Sequence, residues 1–277
     1  MRIDAHHHFW RYAHAEYGWI DDSKASLQRD FLPADLKREL DACEIDAVIS
    51  VQARQSLEET NALLEFASLS PWIRGVVGWV PLRDESIADT LAELTSQPLL
   101  RGVRHVVQDE PDDRFLVRDD FVRGIQKLQA FGLAYDLLIY PHQLPAAIEL
   151  IDRFPEQTFV LDHLAKPPIT LGEIDERWQQ GLESIARRSH VYCKFSGIIT
   201  EVRDPQWTVE TIRPYWNIAW ESFGPSRLMF GSDWPVCLLR GDYPEWVSAV
   251  SELSGSLSSA EKSAFWGHTA IDAYSLR

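Results

Sequence analysis

The chain opens MRIDAHHHFW, and within that stretch His6 and His8 form a His-x-His pair. Side chains alternate faces along a strand, so a strand here turns His6, His8 and Asp4 to one side and His7 to the other. Two neutral imidazoles side by side are half of a site for a divalent transition metal. Two remote stretches offer the other half: Leu161-Asp162-His163-Leu164 and Gly231-Ser232-Asp233-Trp234-Pro235. If His6, His8, His163 and Asp233 meet, they either hold one divalent ion, zinc by donor preference, or share acid–base work without metal. Arg104, Lys166 and Lys194 lie in comparable stretches of a chain whose net charge is −15. Cations gathered at such a place suggest a substrate that is anionic or becomes so during reaction.

Neighbours of these residues receive plainer readings. Arg104 is taken as the inward member of the pair with His105. Asp4, one layer deeper, either orients His6 or pairs with a buried donor. Asp162 precedes His163, so alternation turns it away from the site toward a helix or loop. Gln52 ends an apolar run and is a candidate substrate contact. Tyr140, Trp234 and either Trp10 or Trp19 are candidates to stack on a ligand. Ser196 lacks a Gly-x-Ser-x-Gly elbow and is not read as a nucleophile.

The elements that must position these residues follow from periodicity. Short β-rich runs fall at 2–9, 46–52, 73–80, 100–107, 134–140, 158–164, 191–197 and 227–234. Helical patterns separate them: one opens at Pro33 and ends near Cys43, and one starts with a capping-box-like Ser56-Leu57-Glu58-Glu59. Others fit 86–97, 119–131, 142–153, 173–188, 207–222, 243–254 and 259–275. Eight strands alternating with helices make right-handed βαβ units and predict an α/β fold, a single (β/α)8 TIM barrel. An open doubly wound sheet is the alternative, but its glycine-rich phosphate turn is missing. Long connections at 10–32 and 108–118 would lie on the C-terminal face, and no linker divides residues 1–277, which reads as one domain.

Composition narrows the function classes. With 277 residues, 45% of them hydrophobic, the chain can bury a large core. The acidic balance argues against nucleic acid or an anionic membrane surface as partner. Three cysteines without CxxC spacing fit reduced thiols, and the start lacks a signal peptide's apolar core, so a cytoplasmic location is expected. Oligomeric state is silent in the sequence.

The ordered segments DAHHHFW, GVRHVVQDEPDD, LDHLAKP, KFSG and FGSDWPV resemble the amidohydrolase superfamily, amidohydrolase 2 type. Within it they look like the sugar-lactonase branch of L-fuconolactonase-like and L-rhamnono-lactonase-like enzymes. The resemblance implies a barrel that opens a lactone ring with water, and His6, His8, His163 and Asp233 match the superfamily's positions on strands one, six and eight. Two-metal members carry a lysine on strand four and a histidine on strand five. Here those strands offer Arg104 and Ile139-Tyr140-Pro141, which leaves room for at most one metal. The implied roles are Asp233 as the base toward water and the three histidines as ligands or oxyanion donors. Arg104 and Lys194 would grip ring substituents or the new carboxylate. The alternatives are a lactonase of pyrone or muconolactone type, a superfamily decarboxylase, or a non-catalytic barrel binding a sugar acid.

Overall fold

The computed structural model describes residues 1–276. Its eight strands are β1 Ile3–His7, β2 Ala47–Val51, β3 Ile73–Gly78, β4 Leu100–Val106, β5 Ala134–Leu138, β6 Phe159–Leu161, β7 Val191–Phe195 and β8 Leu228–Phe230. They pair in parallel, each with its successor. The ring closes where His8 N donates to Trp234 O (2.7 Å) and Asp233 N donates to His6 O (2.7 Å). The fold is the expected (β/α)8 TIM barrel. The helices between and after the strands are α1 Pro33–Ala42, α2 Leu57–Leu69, α3 Ile87–Leu94, α4 Asp119–Leu128, α5 Leu144–Arg153, α6 Glu176–Ala186, α7 Val209–Phe223 and α8 Tyr243–Leu253.

Strands covered on both faces read as continuous apolar runs, as Ala-Val-Ile-Ser-Val does in β2. One core fills the barrel with Ile3, Ala5, Ile49, Val77, Val160 and Met229, and Tyr274 and Leu276 plug it from the chain's end. A larger one lies between the strands and the helices. The expected helix 259–275 forms as one helical run over 259–273, with a wide π turn at Ala264–His268 between Ser259–Ser263 and Thr269–Ala273. Strands β6 and β8 are shorter than their apolar runs. The backbone leaves the extended region at His163 through Lys166 (φ 52°, 53°, 58°, 52°) and at Asp233 (φ 59°). The three cysteines are free, and among the described residues no helix is long and apolar enough to cross a membrane.

The 10–32 connection is pinned to the barrel rather than draped over it. Trp10 and Phe31 exchange backbone hydrogen bonds, and Tyr17 Oη donates to Glu59 Oε1 (3.1 Å). Ser56 caps α2 by accepting from Glu59 N (3.1 Å), but the Glu59 carboxylate does not complete the capping box. Its Oε2 accepts from Ala53 N (2.9 Å) and Arg54 N (2.7 Å), so Glu59 ties the connection to the loop after β2. Burial pushes the Glu59 carboxyl up to about 7 against these hydrogen bonds. A folded carboxyl pKa raised in this way adds stability below its unfolded value, and that stability is lost as pH rises through about 7. Glutamine can keep the contacts, its oxygen facing the two N–H groups and its NH2 facing Tyr17. Glu59→Gln should therefore flatten the loss between pH 5 and 8, a gain of about 2–3 kcal/mol at pH 8. Urea midpoints across that range check it; parallel curves for both proteins would refute it.

Candidate active site

The site begins with an irregularity in β1. Asp4 pairs with Val48 and His7 with Ser50, so β1 carries one residue more than β2 across the same interval. This bulge turns both Ala5 and His6 into the barrel and leaves Asp4 facing out. The expectation that Asp4 shares the face of His6 and His8 is thus corrected. Its carboxylate accepts from Ser232 N (2.8 Å), His6 N (3.1 Å) and Tyr243 Oη of α8 (3.1 Å), so it fixes the β1–β8 seam from behind. His7 faces the outer layer as expected, against Ser50 and Phe9.

Three imidazoles and one carboxylate then converge. The Nε2 atoms of His8, His6 and His163 lie 3.2, 3.7 and 3.9 Å from Asp233 Oδ1. The far side of each ring is held. His8 Nδ1 meets Val51 O (2.8 Å), His163 Nδ1 meets Ser196 Oγ (2.9 Å), and His6 Nδ1 faces Asp162 Oδ1 and Lys194 Nζ, both at 3.3 Å. Burial pushes His6 well below the usual histidine range and His163 down to about 4 despite nearby carboxylates. Burial would raise the Asp233 carboxyl, but His163, the His8 hydrogen bond and Lys166 outweigh it and hold it below its usual value.

A carbonyl only accepts, so His8 must carry its proton on Nδ1. A neutral His8 therefore presents an Nε2 lone pair to the Asp233 oxygen. Two lone pairs at that distance repel unless a proton or a cation lies between them. Neutral imidazole nitrogens with one carboxylate are the donor set of a divalent transition metal, so these residues fit one.

Asp162 also overturns its expected orientation. The left-handed turn that starts at His163 ends the alternation, and Asp162 points inward to Arg104 NH1 (2.9 Å), Lys194 Nζ (3.0 Å) and His6. Four consecutive left-handed residues are costly, at about 1–2 kcal/mol each. The turn is held by hydrogen bonds from Trp178 Nε1 to Leu164 O (2.7 Å) and Lys166 N to His163 O (2.8 Å). Gly197 must be a glycine. Its φ is +65°, and a Cβ there would come within 2.4 Å of His163 Nδ1 and 2.8 Å of Asp233 Oδ2.

Above this floor opens a cavity of about 640 Å³. His8, His163, Asp233, Arg104, Lys166 and Tyr140 line it. Lys194 and Gln52 do not; both are fully buried beneath it. Lys194 pairs with Asp136 and Asp162, and Gln52 braces Arg104 through its carbonyl and side-chain oxygens. The direct grip on substrate expected of these two gives way to support from below. Trp234 is packed against Phe9 and Phe31, and Trp10 is in the core; of the candidate tryptophans Trp19 faces the cavity. The two long connections supply what residue types alone did not single out: Glu16 and Lys24 from one, Gln108 and Asp109 from the other. Arg54 follows β2 and pairs with Glu16.

The expected excess of positive charge is also corrected. Arg104 pairs with Asp162, Lys166 with Glu201 (3.5 Å) and Lys24 with Asp21 (3.0 Å), so the cations are neutralised one by one. A cavity of this kind suits a neutral, many-hydroxyl ligand better than a dianion.

Comparison with known proteins converges on the same chemistry. The amidohydrolase family profile matches residues 3–276. L-fucono-1,5-lactonase of Burkholderia multivorans is 43% identical, with all of this chain and 96% of that protein aligned. L-fucono-1,5-lactonase of Burkholderia ambifaria is 36% identical over 90% of this chain and 86% of its own. A crystal structure of an amidohydrolase from Burkholderia multivorans with bound zinc superposes with a TM-score of 0.95 at 42% identity, covering both chains fully.

Proposed function

The chain belongs to the amidohydrolase family, and from that premise we propose that it opens L-fucono-1,5-lactone, or a closely related aldonolactone, to the aldonic acid. The observation that carries this reading is the meeting of Asp233 with three imidazoles at the floor of a charge-balanced cavity. His6, His8, His163 and Asp233 would hold one divalent ion, zinc by donor preference, which when bound supplies polarisation of the lactone carbonyl.

Asp233, ionised at neutral pH, takes a proton from water as the water oxygen adds to the carbonyl carbon. Arg104, whose guanidinium reaches the cavity from below, offers charge to the developing oxyanion. The ring C–O bond then breaks, and Asp233 returns the proton to the departing ring oxygen. The products are one hydroxyl and one carboxylic acid, which ionises. The side chains of Glu16, Arg54, Gln108 and Asp109 offer hydrogen bonds to the ring hydroxyls. The Trp19 ring is fixed through Nε1 to Ala53 O (3.1 Å), ready to cover an apolar sugar face.

An aldonolactone panel followed with a pH indicator tests the reading. Acid release from L-fucono-1,5-lactone is expected; turnover of a pyrone dicarboxylate and of no aldonolactone would replace it. Trp19→Ala should raise KM about tenfold with kcat nearly kept, because the ring binds ground and transition states alike. Loss confined to kcat would remove Trp19 from binding. Metal analysis should find about one divalent ion per chain, and chelation should lower the melting temperature by the binding energy lost. Full activity at negligible metal would make the histidines hydrogen-bond donors instead.

A further inference from the structure

A second cavity of about 550 Å³ lies beside the first, and Tyr140, Lys166 and Glu201 line both. The shared border carries the Lys166–Glu201 ion pair, with Lys166 Nζ 5.5 Å from the centre of the Tyr140 ring. Beyond that border stand Arg177, in the first turn of α6, and Arg203, after β7; both are exposed. Neither has an ion-pair partner among the described residues, whereas every cation named around the first cavity has one. The carboxylates on this side are engaged: Asp175 caps α6 by accepting from Trp178 N (2.8 Å), and Glu201 holds Lys166. Leu144, Pro145, Ile148 and Pro168 supply an apolar part of the lining, and His142, also on it, faces Asp113 (3.3 Å).

Lactone hydrolysis turns a neutral molecule into an anion. The first cavity is balanced in charge, as a neutral substrate requires. The second offers two unpaired guanidinium groups and an apolar floor, which suits a carboxylate on a short carbon chain. We propose that this second cavity binds the aldonate product on its way out, with Arg177 and Arg203 taking the carboxylate that ring opening creates. The inference rests on the hydrolase reading above. The product would pass the Lys166–Glu201 pair that borders both cavities.

Two measurements on the full chain test it, using L-fuconate as probe and the doubly substituted Arg177→Ala/Arg203→Ala protein, whose changes lie at exposed positions. Bound in the second cavity, L-fuconate leaves the first open to lactone, so wild-type product inhibition should be mixed. The double variant should show purely competitive inhibition, the intercept effect weakened at least about tenfold, with kcat/KM for the lactone essentially kept. Equilibrium titration, which needs no turnover, should find two L-fuconate sites per wild-type chain and one in the variant. A wild type with one site and purely competitive inhibition overturns the proposal, and so does a variant indistinguishable from wild type. Failure to turn over any aldonolactone is a separate result, and it refutes the hydrolase reading itself.

Discussion

Asp233→Asn is expected to lower kcat/KM for lactone opening by about three orders of magnitude while the protein stays folded. Asparagine keeps the volume and one oxygen, so the left-handed backbone at position 233 and the backbone bond from Asp233 N to His6 O are undisturbed. Asparagine is among the residues that tolerate that conformation. What disappears is a basic oxygen 3.2 Å from His8 Nε2, and with it both proton acceptor and anionic ligand. An amide does not take a proton from water near neutral pH. Substrate binding relies on the cavity walls and should change far less than kcat. Initial rates, alongside far-UV circular dichroism and a thermal melt, separate chemistry from folding. A folded variant within tenfold of the wild-type rate would remove Asp233 as the base.

The residue types at the site were legible in the sequence, and their orientations only in part. Strand alternation correctly turned His6 and His8 inward, His7 outward and Arg104 inward. It failed at Asp4 and Asp162, and for one reason: alternation assumes an unbroken extended backbone. A bulge in β1 and a left-handed turn after β6 both violate it, with no glycine at either point to signal the change. Such strain concentrates where several side chains must share one small volume. The charge of the mouth was misread for a different reason. Arg104, Lys166 and Lys194 were visible as cations, but their partners Asp162, Glu201 and Asp136 come from other elements, and pairing across the barrel has no signature in spacing. Helix ends were nearly right wherever a cap announced them, as Pro33 did for α1. The last helix also runs as its pattern predicts, but its π turn at Ala264–His268 carries no proline and has no signature in the spacing.

Lys194→Met should cost about 3–5 kcal/mol of stability, because it strips the counterion from buried carboxylates. In the wild type Lys194 Nζ lies 2.5 Å from Asp136 Oδ2 and 3.0 Å from Asp162 Oδ1, all three side chains being inaccessible to water. Asp162 would retain Arg104, whereas Asp136 would keep only the hydrogen bond from Tyr274 Oη (2.7 Å). Methionine fills the lysine stem's volume, so the loss reports charge rather than a cavity. At the usual entropy of unfolding for a chain of this size, the melting temperature should fall by about 5–9 °C. The deficit should also depend on pH. An unpaired buried Asp136 has its folded pKa raised, so the stability of its neutral form is present at low pH and lost as pH rises; the variant should approach wild type near pH 4 and fall furthest behind above pH 7. Adding Asp136→Asn to Lys194→Met should recover most of the loss, since the remaining pair of Arg104 and Asp162 is already balanced. Activity should not return with it, because the Nδ1 side of His6 would still lack Lys194 at 3.3 Å. Melts of the two single variants and the double variant at several pH values decide the matter. A Lys194→Met protein as stable as wild type at pH 8 would mean that the buried carboxylates are already neutral, and that the lysine does not support the histidines above it through charge.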